Sequence, residues 1–313
     1  MTTAPPTGFV EVADRVYVLR YPVFDVNVTL VVGDGAALVV DTLSTPAQAA
    51  ELTAAARRVT AAPWAIVNTH HHFDHAFGNA MVARQTPPAS SPFPTFGDPA
   101  AASVPTAGGV PTAGGAVGGA AVTAVWAHQE TVWALGHEET ARRRAWEATV
   151  DEHPDLADEL AKAELLPPNR AVLTEVTLDV GGRPVTLAHF GRGHTAGDLV
   201  VHVPDADVVV AGDLVEESGP PDFGDAYALE WPATVAALLR LTTPDTVVIP
   251  GHGAPVGQGF VTGQHEELTE LEWLIRNGHA ERARIDALAA RAPFGPAAAL
   301  PAIKRAYAEL DGV

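Results

Sequence analysis

Seven consecutive positions, Thr69-His70-His71-His72-Phe73-Asp74-His75, place four imidazoles and a carboxylate directly behind the run Trp64-Ala65-Ile66-Val67-Asn68. Packed this closely, the imidazoles would repel one another if protonated and would waste polar groups if buried, so a cation is the economical partner. A purification tag would also give a His run, but it would be terminal and would lack the interposed Phe73 and Asp74. Alternation sorts the ligands. If the strand through Ile66 and Val67 frays into a loop at Thr69, His70 and His72 project to one side and His71 to the other. A turn starting near Phe73 lets Asp74 and His75 face a second point in space. The expected pairs are therefore His70 with His72 and Asp74 with His75, leaving His71 as a bystander.

Three later stretches share one design, an apolar strand ending in a glycine beside a single ligand: Gly193-His194-Thr195, Gly212-Asp213-Leu214 and Gly251-His252-Gly253. Glycine lets the backbone turn sharply next to a bulky site. Zinc catalysis asks for three protein ligands and an open position, which His70, His72 and His194 supply for one ion. Asp74, His75 and His252 supply it for a second, and Asp213 has two oxygens with which to bridge both. Two divalent ions, expected to be zinc with iron or manganese as alternatives, would share a hydroxide that is nucleophilic at neutral pH.

The elements that must position these groups are legible in outline. Residues 10–21 alternate as strand, and the runs 28–32 and 36–41 flank Gly33-Asp34-Gly35 as a hairpin. Residues 45–59 read as a helix behind a Ser/Thr cap, and the strand at 64–68 leads into the His-rich loop. Residues 87–121 are low in complexity, rich in Gly, Ala and Pro, and are expected to form a mobile surface loop. A strand at 122–126 precedes a long polar helix over 128–150 that carries Arg142-Arg143-Arg144, and a second helix is expected over 155–165. Strands follow around 171–178 and 185–190, then a hairpin across Asp205-Ala206-Asp207, a helix at 231–241 and a strand at 246–249. Residues 261–310 read as helix with one break near Pro293. Residues 1–260 are taken as one domain and 261–313 as its helical extension, which could pack on the body, cover the site or make a homodimer.

The ordered set of motifs, His-x-His-x-Asp-His, Gly-His-Thr, Gly-Asp and Gly-His, resembles the metallo-β-lactamase superfamily over roughly residues 10–256. The resemblance implies an α+β fold, an αβ/βα sandwich of two mixed β-sheets flanked by helices, with the metals at one edge. It implies His70, His72 and His194 as ligands of the first site, Asp74, His75 and His252 of the second, and Asp213 as the bridge. It also puts Asp41 where the family commonly has a buried Asp supporting the metal loop. Many zinc β-lactamases have Cys at the position of Asp213 and, three residues on, a Lys that grips the antibiotic carboxylate. Here that later position is Glu216, which would repel it. The bridging Asp resembles the thioesterase, lactonase and phosphodiesterase branches instead.

The expected function is hydrolysis of an ester, thioester or lactone, less readily a lactam, with Asp74 orienting the hydroxide and handling its proton. An iron-dependent persulfide dioxygenase, a phosphodiesterase and a silent metal-binding protein are the alternatives. Trp126, Phe223, Tyr227 and Trp231, with Phe77 nearby, are candidate walls for a small-molecule substrate, and Arg192 is the one cation beside a metal stretch. A net charge of −19 disfavours nucleic acid, whose affinity rests on Lys and Arg. The chain has no Cys, so neither thiolate ligands nor disulfides are available. No basic leader followed by an apolar segment opens the sequence and no apolar run approaches the ~20 residues of a membrane span, so a cytoplasmic location without a membrane partner is expected.

Overall fold

Valine-rich runs with two-residue periodicity dominate the first forty residues, and in the computed structural model, which describes residues 8–86, 95–96 and 123–312, they pair as an antiparallel meander. Its strands are β1 (Val10–Ala13), β2 (Val16–Tyr21), β3 (Val26–Val32) and β4 (Ala37–Val40). Helix α1 (Pro46–Val59) starts where the Thr45 hydroxyl accepts from the Gln48 N–H, with Pro46 at the first turn. The chain crosses over to β5 (Trp64–Val67), parallel to β4, then forms the short helices α2 (Phe73–Ala76) and α3 (Asn79–Arg84).

A two-residue strand, β6 (Thr95–Phe96), is followed by β7 (Val125–His128), parallel to β5. Three helices come next: α4 (Gln129–Gly136), α5 (Glu138–Thr149) and α6 (Pro154–Leu160). Then follow β8 (Arg170–Val172), β9 (Glu175–Val180), β10 (Arg183–Ala188), β11 (Val200–Val203), β12 (Val208–Glu216), α7 (Trp231–Leu239) and β13 (Val247–His252). Helices α8 (Gln258–Ala280), α9 (Ile285–Ala289) and α10 (Pro296–Asp311) complete the described chain.

Strands β1, β2, β3, β4, β5, β7 and β8 form one half-sheet in that order, and β6, β9, β10, β11, β12 and β13 the other. Each is mixed: β4, β5, β7 and β8 run parallel in the first, β12 and β13 in the second. The halves join through a single register pair, His252 with Val26. Between them lies a core of Val31, Val67, Trp126, Leu178, Leu187 and Val210. On the outer face of the first half, Leu30, Val39 and Ile66 pack on Leu52 of α1 and Val82 of α3. On the outer face of the second, Val209 and Val248 pack on Val235 of α7 and on Leu271, Ile275 and Ile303 of the C-terminal helices. This is the expected αβ/βα sandwich.

Two helix expectations need correction. The long helix over 128–150 breaks at Gly136-His137, where His137 takes φ −93° and ψ 60° and a glycine weakens the helix before it. The C-terminal run breaks twice: Arg282 adopts φ 55°, and Phe294 and Gly295 take 64° and 82°, none of which a helix accommodates. The low-complexity segment at 87–121 lies outside the described residues apart from Thr95–Phe96. Among the described residues, no helix is long and apolar enough to cross a membrane.

Candidate metal centre

All the ligand candidates arrive from one end of the two half-sheets. Beyond β5 the chain extends through Thr69 to His72, which caps α2 with extended φ −65° and ψ 152°. That extension sends His70 and His72 to one side, and the single turn of α2 swings Asp74 and His75 to the other, as the spacing predicts. His194 lies in the loop before β11, Asp213 inside β12, and His252 at the end of β13. Asp213 is reached through Gly212, whose φ is 55°. A Cβ on Gly251 would stand 1.7 Å from Asp213 Oδ1, so only glycine lets β13 pass that carboxylate.

The structure brings seven side chains together. His194 Nε2 is 2.9 Å from His72 Nδ1, and Asp213 Oδ2 lies 3.4 Å from His194 Nε2 and 3.5 Å from His70 Nε2. On the other side His75 Nε2 and His252 Nε2 are 3.3 Å apart, with Asp74 Oδ2 at 3.7 and 3.5 Å from them. Asp213 reaches this group too, Oδ1 at 3.1 Å from His75 Nε2 and Oδ2 at 3.3 Å from His252 Nε2. It is the member common to both groups.

The hydrogen bonds on the far side of each ring decide which nitrogen offers a lone pair. His75 Nδ1 donates to Asp41 Oδ2 at 2.8 Å, and His252 Nδ1 donates to the Phe24 carbonyl at 2.7 Å. His194 Nδ1 donates to the Asp222 carbonyl at 3.3 Å. The Thr69 hydroxyl gives its hydrogen to Asp41 Oδ2, so it accepts from His70 Nδ1 at 3.0 Å. His72 is held the other way round, Nε2 donating to Asp225 Oδ1 at 3.1 Å. Each neutral ring therefore turns a lone pair inward: Nε2 of His70, His75, His194 and His252, and Nδ1 of His72.

Such a cluster calls for positive charge. His70 Nε2 and Asp213 Oδ1 are fully buried and have no hydrogen-bond partner. Unmet buried acceptors of this kind cost a protein on the order of 1–3 kcal/mol each. Burial holds the His70 imidazole well below its ordinary pKa, and drives His194 down to about 4, which keeps both rings neutral. Asp213 has the opposite effect on His252: although burial opposes it, the carboxylate raises that ring to about 10. Protons on facing nitrogens 3.3 Å apart would collide, whereas divalent cations satisfy imidazole lone pairs and carboxylates together. The donor set fits metal ions. All nitrogen and oxygen, it is a set that suits divalent ions.

Comparison with known proteins agrees. A family model described as metallo-beta-lactamase superfamily matches residues 21–105 and 113–252. The chain belongs to the metallo-beta-lactamase superfamily. A metallo-beta-lactamase type 2 of Bacillus cereus is 32% identical over 110 residues, 34% of this chain and 43% of that protein. A hydroxyacylglutathione hydrolase of Xanthomonas oryzae pv. oryzae is 40% identical over 85 residues, 25% of this chain and 32% of that protein. The chain thus spans less than half the length of either relative. Among solved structures, a metallo-beta-lactamase from Pontibacter korlensis superposes with a TM-score of 0.57 at 18% identity, over 83% of this chain and 98% of that one, a likeness of fold.

As in the superfamily resemblance, Asp41 buttresses the His-rich loop. Its φ is 68°, it is 2% exposed, and its carboxylate accepts from the Thr69 N–H, the Thr69 hydroxyl and His75 Nδ1, each at 2.8 Å. A cavity of about 720 Å³ opens over the cluster. The proposed wall residues are not on it. Trp126 is buried in the core between the half-sheets because β7 points it inward, and Phe223 and Trp231 pack under the C-terminal helices. Trp231 meets His194 only edge-on, at 5.7 Å between ring centroids. Tyr227 lies beneath the Arg192 guanidinium, which is paired with Glu230 at 3.0 Å, so neither reaches the cavity. Phe77 does line it, with Phe24 and Phe73.

Sequence reasoning missed three features of this wall. His71 is no bystander: its Nε2 lies 3.4 Å from Asp225 Oδ2, and Asp225 thus spans His71 and His72. Both imidazoles hold that carboxylate well below its ordinary pKa against the effect of burial. Helices α4 and α5 roof the cavity with Trp133, His137 and Arg144. The only signal available for Asp225 was its place in the loop after Asp213, and for the roof the Arg142-Arg143-Arg144 run.

Proposed function

We propose that the chain hydrolyses an ester, thioester or lactone, using two divalent ions, zinc in the first instance, on the His70/His72/His194 and Asp74/His75/His252 groups with Asp213 between them. The observation that carries this reading is Asp213, a buried carboxylate within 3.5 Å of four imidazole nitrogens that all turn lone pairs toward it. Divalent ions so held would polarise a carbonyl and bring the pKa of water to roughly 7.

The protein's own groups would do the rest. Asp74, a carboxylate on the cavity wall, would orient the attacking water and take its proton. Asp41, the Thr69 hydroxyl, Asp225, Phe24 O and Asp222 O would keep the five imidazoles in the tautomers they need. Phe24, Phe73 and Phe77 would exclude water from one side of the scissile bond. Glu216 also lines the cavity near Asp213 and His252; burial and the Asp213 charge hold its carboxyl well above the ordinary pKa, and it offers no cation to a substrate carboxylate held close to the reacting carbonyl. That disfavours β-lactam substrates, and the partial match to a hydroxyacylglutathione hydrolase supports the thioester reading.

Metal content by mass spectrometry, followed by turnover of a panel of thioesters, lactones and aryl esters before and after chelation, tests the proposal. Two zinc ions per chain, with activity lost on chelation and regained on adding zinc, is the expected result. One iron per chain with oxygen uptake on a persulfide, or full turnover without metal, overturns it.

A further inference from the structure

The cavity roof carries a charge that no described residue pairs with. Along α5, Thr140, Ala141, Arg144, Ala145 and Ala148 fall on one face and line the cavity. Four are small and leave the space open; Arg144 alone projects. Its neighbours are both spent on their own helix, Arg142 with Glu138 at 3.0 Å and Arg143 with Glu147 at 3.2 Å. Arg144 has no ion-pair or hydrogen-bond partner among the described residues, and Asp225, an acid on the same wall, has its two oxygens engaged by His72 and His71. It is also the one Arg or Lys on the described wall. On the same wall, Trp133 is 63% exposed and leans on His137 with ring centroids 4.4 Å apart, an indole left largely to solvent. A large exposed aromatic and an unpaired guanidinium on one cavity wall suit recognition better than packing.

We infer that the substrate is an acyl compound with a bulky apolar body and a remote carboxylate, the body lying against Trp133 and the carboxylate paired with Arg144. This rests on the hydrolase reading and narrows its substrate class. Geometry decides where the carboxylate goes: beside Asp213 and His252 the described wall offers Glu216 and no Arg or Lys, whereas under α5 it offers the lone guanidinium. A single cation on a wall that also carries Glu216, Asp222 and Asp225 suits a monoanion better than a phosphate dianion. Arg144 is thus a specificity-determining residue that plays no part in bond cleavage.

Two measurements on the zinc-loaded protein test this. The first is binding, by calorimetry, of 4-phenylbutanoate against 4-phenylbutanamide. Wild type should prefer the carboxylate on the order of tenfold, Arg144→Ala should erase the preference, and Arg144→Lys should keep part of it. The second is kcat/KM for 4-nitrophenyl monoesters of linear dicarboxylic acids against their far-end methyl esters. A similar preference is expected there, lost in Arg144→Ala through KM with kcat unchanged, and reversed in Arg144→Glu. Carboxylate binding that survives Arg144→Ala places the carboxylate on the metals and overturns the inference, as does equal turnover of acid and methyl ester by wild type. The binding preference without turnover of any ester would sink the hydrolase reading and leave the anion site standing. A phosphate monoester analogue bound more tightly than the carboxylate would reject the monoanion.

Discussion

The floor and the roof of the cavity are built on opposite principles. On the floor every imidazole has a second partner that fixes its tautomer, and Asp41, at a positive φ that few residues other than glycine adopt, serves three donors at once. On the roof Trp133 is largely exposed, and Arg144 has no ion-pair partner among the described residues. Buried polar groups in low dielectric are costly unless fully satisfied, so a floor of this kind tolerates little change. A roof made of one exposed face of α4 and α5 can change residue by residue without disturbing the chemistry below it. On the proposed hydrolase reading, the contrast separates the groups that would make the reaction from those that would select the substrate.

The largest effects are expected on the floor. Asp213→Ala removes the one group shared by both ligand sets, and metal content and kcat/KM should fall together, by more than the 10–100-fold that losing an outer partner typically costs. Mass spectrometry and kinetics on protein whose circular dichroism is unchanged would decide it; two metals and full turnover would end the bridging role. Asp41→Asn keeps the shape but turns one acceptor oxygen into a donor facing donors. A loss of metal affinity of roughly 10–100-fold, read by competitive chelator titration, is expected. Retained affinity would show the floor to be less tightly specified than its hydrogen bonds imply.

The same contrast explains what the sequence disclosed. Metal ligands must be His or carboxylate, must follow strand ends, and must have glycine where the backbone passes close, and these demands left His70, His72, His194, Asp74, His75, Asp213 and His252 readable as a set. The sandwich was readable because valine periodicity separates the inward residues, such as Val208 and Val210, from the outward Val209. The wall was not readable, because an aromatic residue carries no sign of which way it faces. Trp126, Phe223 and Trp231 have the composition of a pocket and the positions of a core. Asp225 acts through the rings of His71 and His72, the latter 153 positions away, a relation no local pattern encodes. The helix break at His137, which aims Trp133 and Arg144 over the site, rests on a single Gly-His step.

Between floor and roof lies the loop carrying Asp225, and substitutions there grade the comparison. Asp225→Asn still offers an oxygen to His72 Nε2 but without charge, and roughly a tenfold drop in kcat/KM is expected, the low end of outer-partner effects. Arg305 of α10 donates to the backbone carbonyls of Asp225 and Ala226 at 3.0 and 3.1 Å, tying the C-terminal helices to this loop. Arg305→Ala should therefore lower activity by several-fold, with a stability loss of about 1–3 kcal/mol from two hydrogen bonds to a charged donor. Activity untouched by Arg305→Ala would confine the C-terminal helices to packing.

The smallest effect on the folded state is expected at Trp133, and it is the sharpest comparison with the floor side of the same wall. Phe77 is 3% exposed and packs with Leu135, Ala145 and Leu160, so Phe77→Ala should cost roughly 3–5 kcal/mol, the usual range for a buried aromatic. Trp133 is 63% exposed, and truncating it removes little burial, so Trp133→Ala should change stability by less than about 1 kcal/mol, a melting shift within roughly 4 °C for a chain of this size. Its effect should fall on KM, raised about threefold to tenfold for an apolar acyl substrate and unchanged for acetyl esters too short to reach the indole. Thermal melts and kinetics on the two variants separate the cases: a Trp133→Ala protein that melts as early as Phe77→Ala would make the indole part of the core, and an unchanged KM for long acyl chains would remove it from the substrate's path.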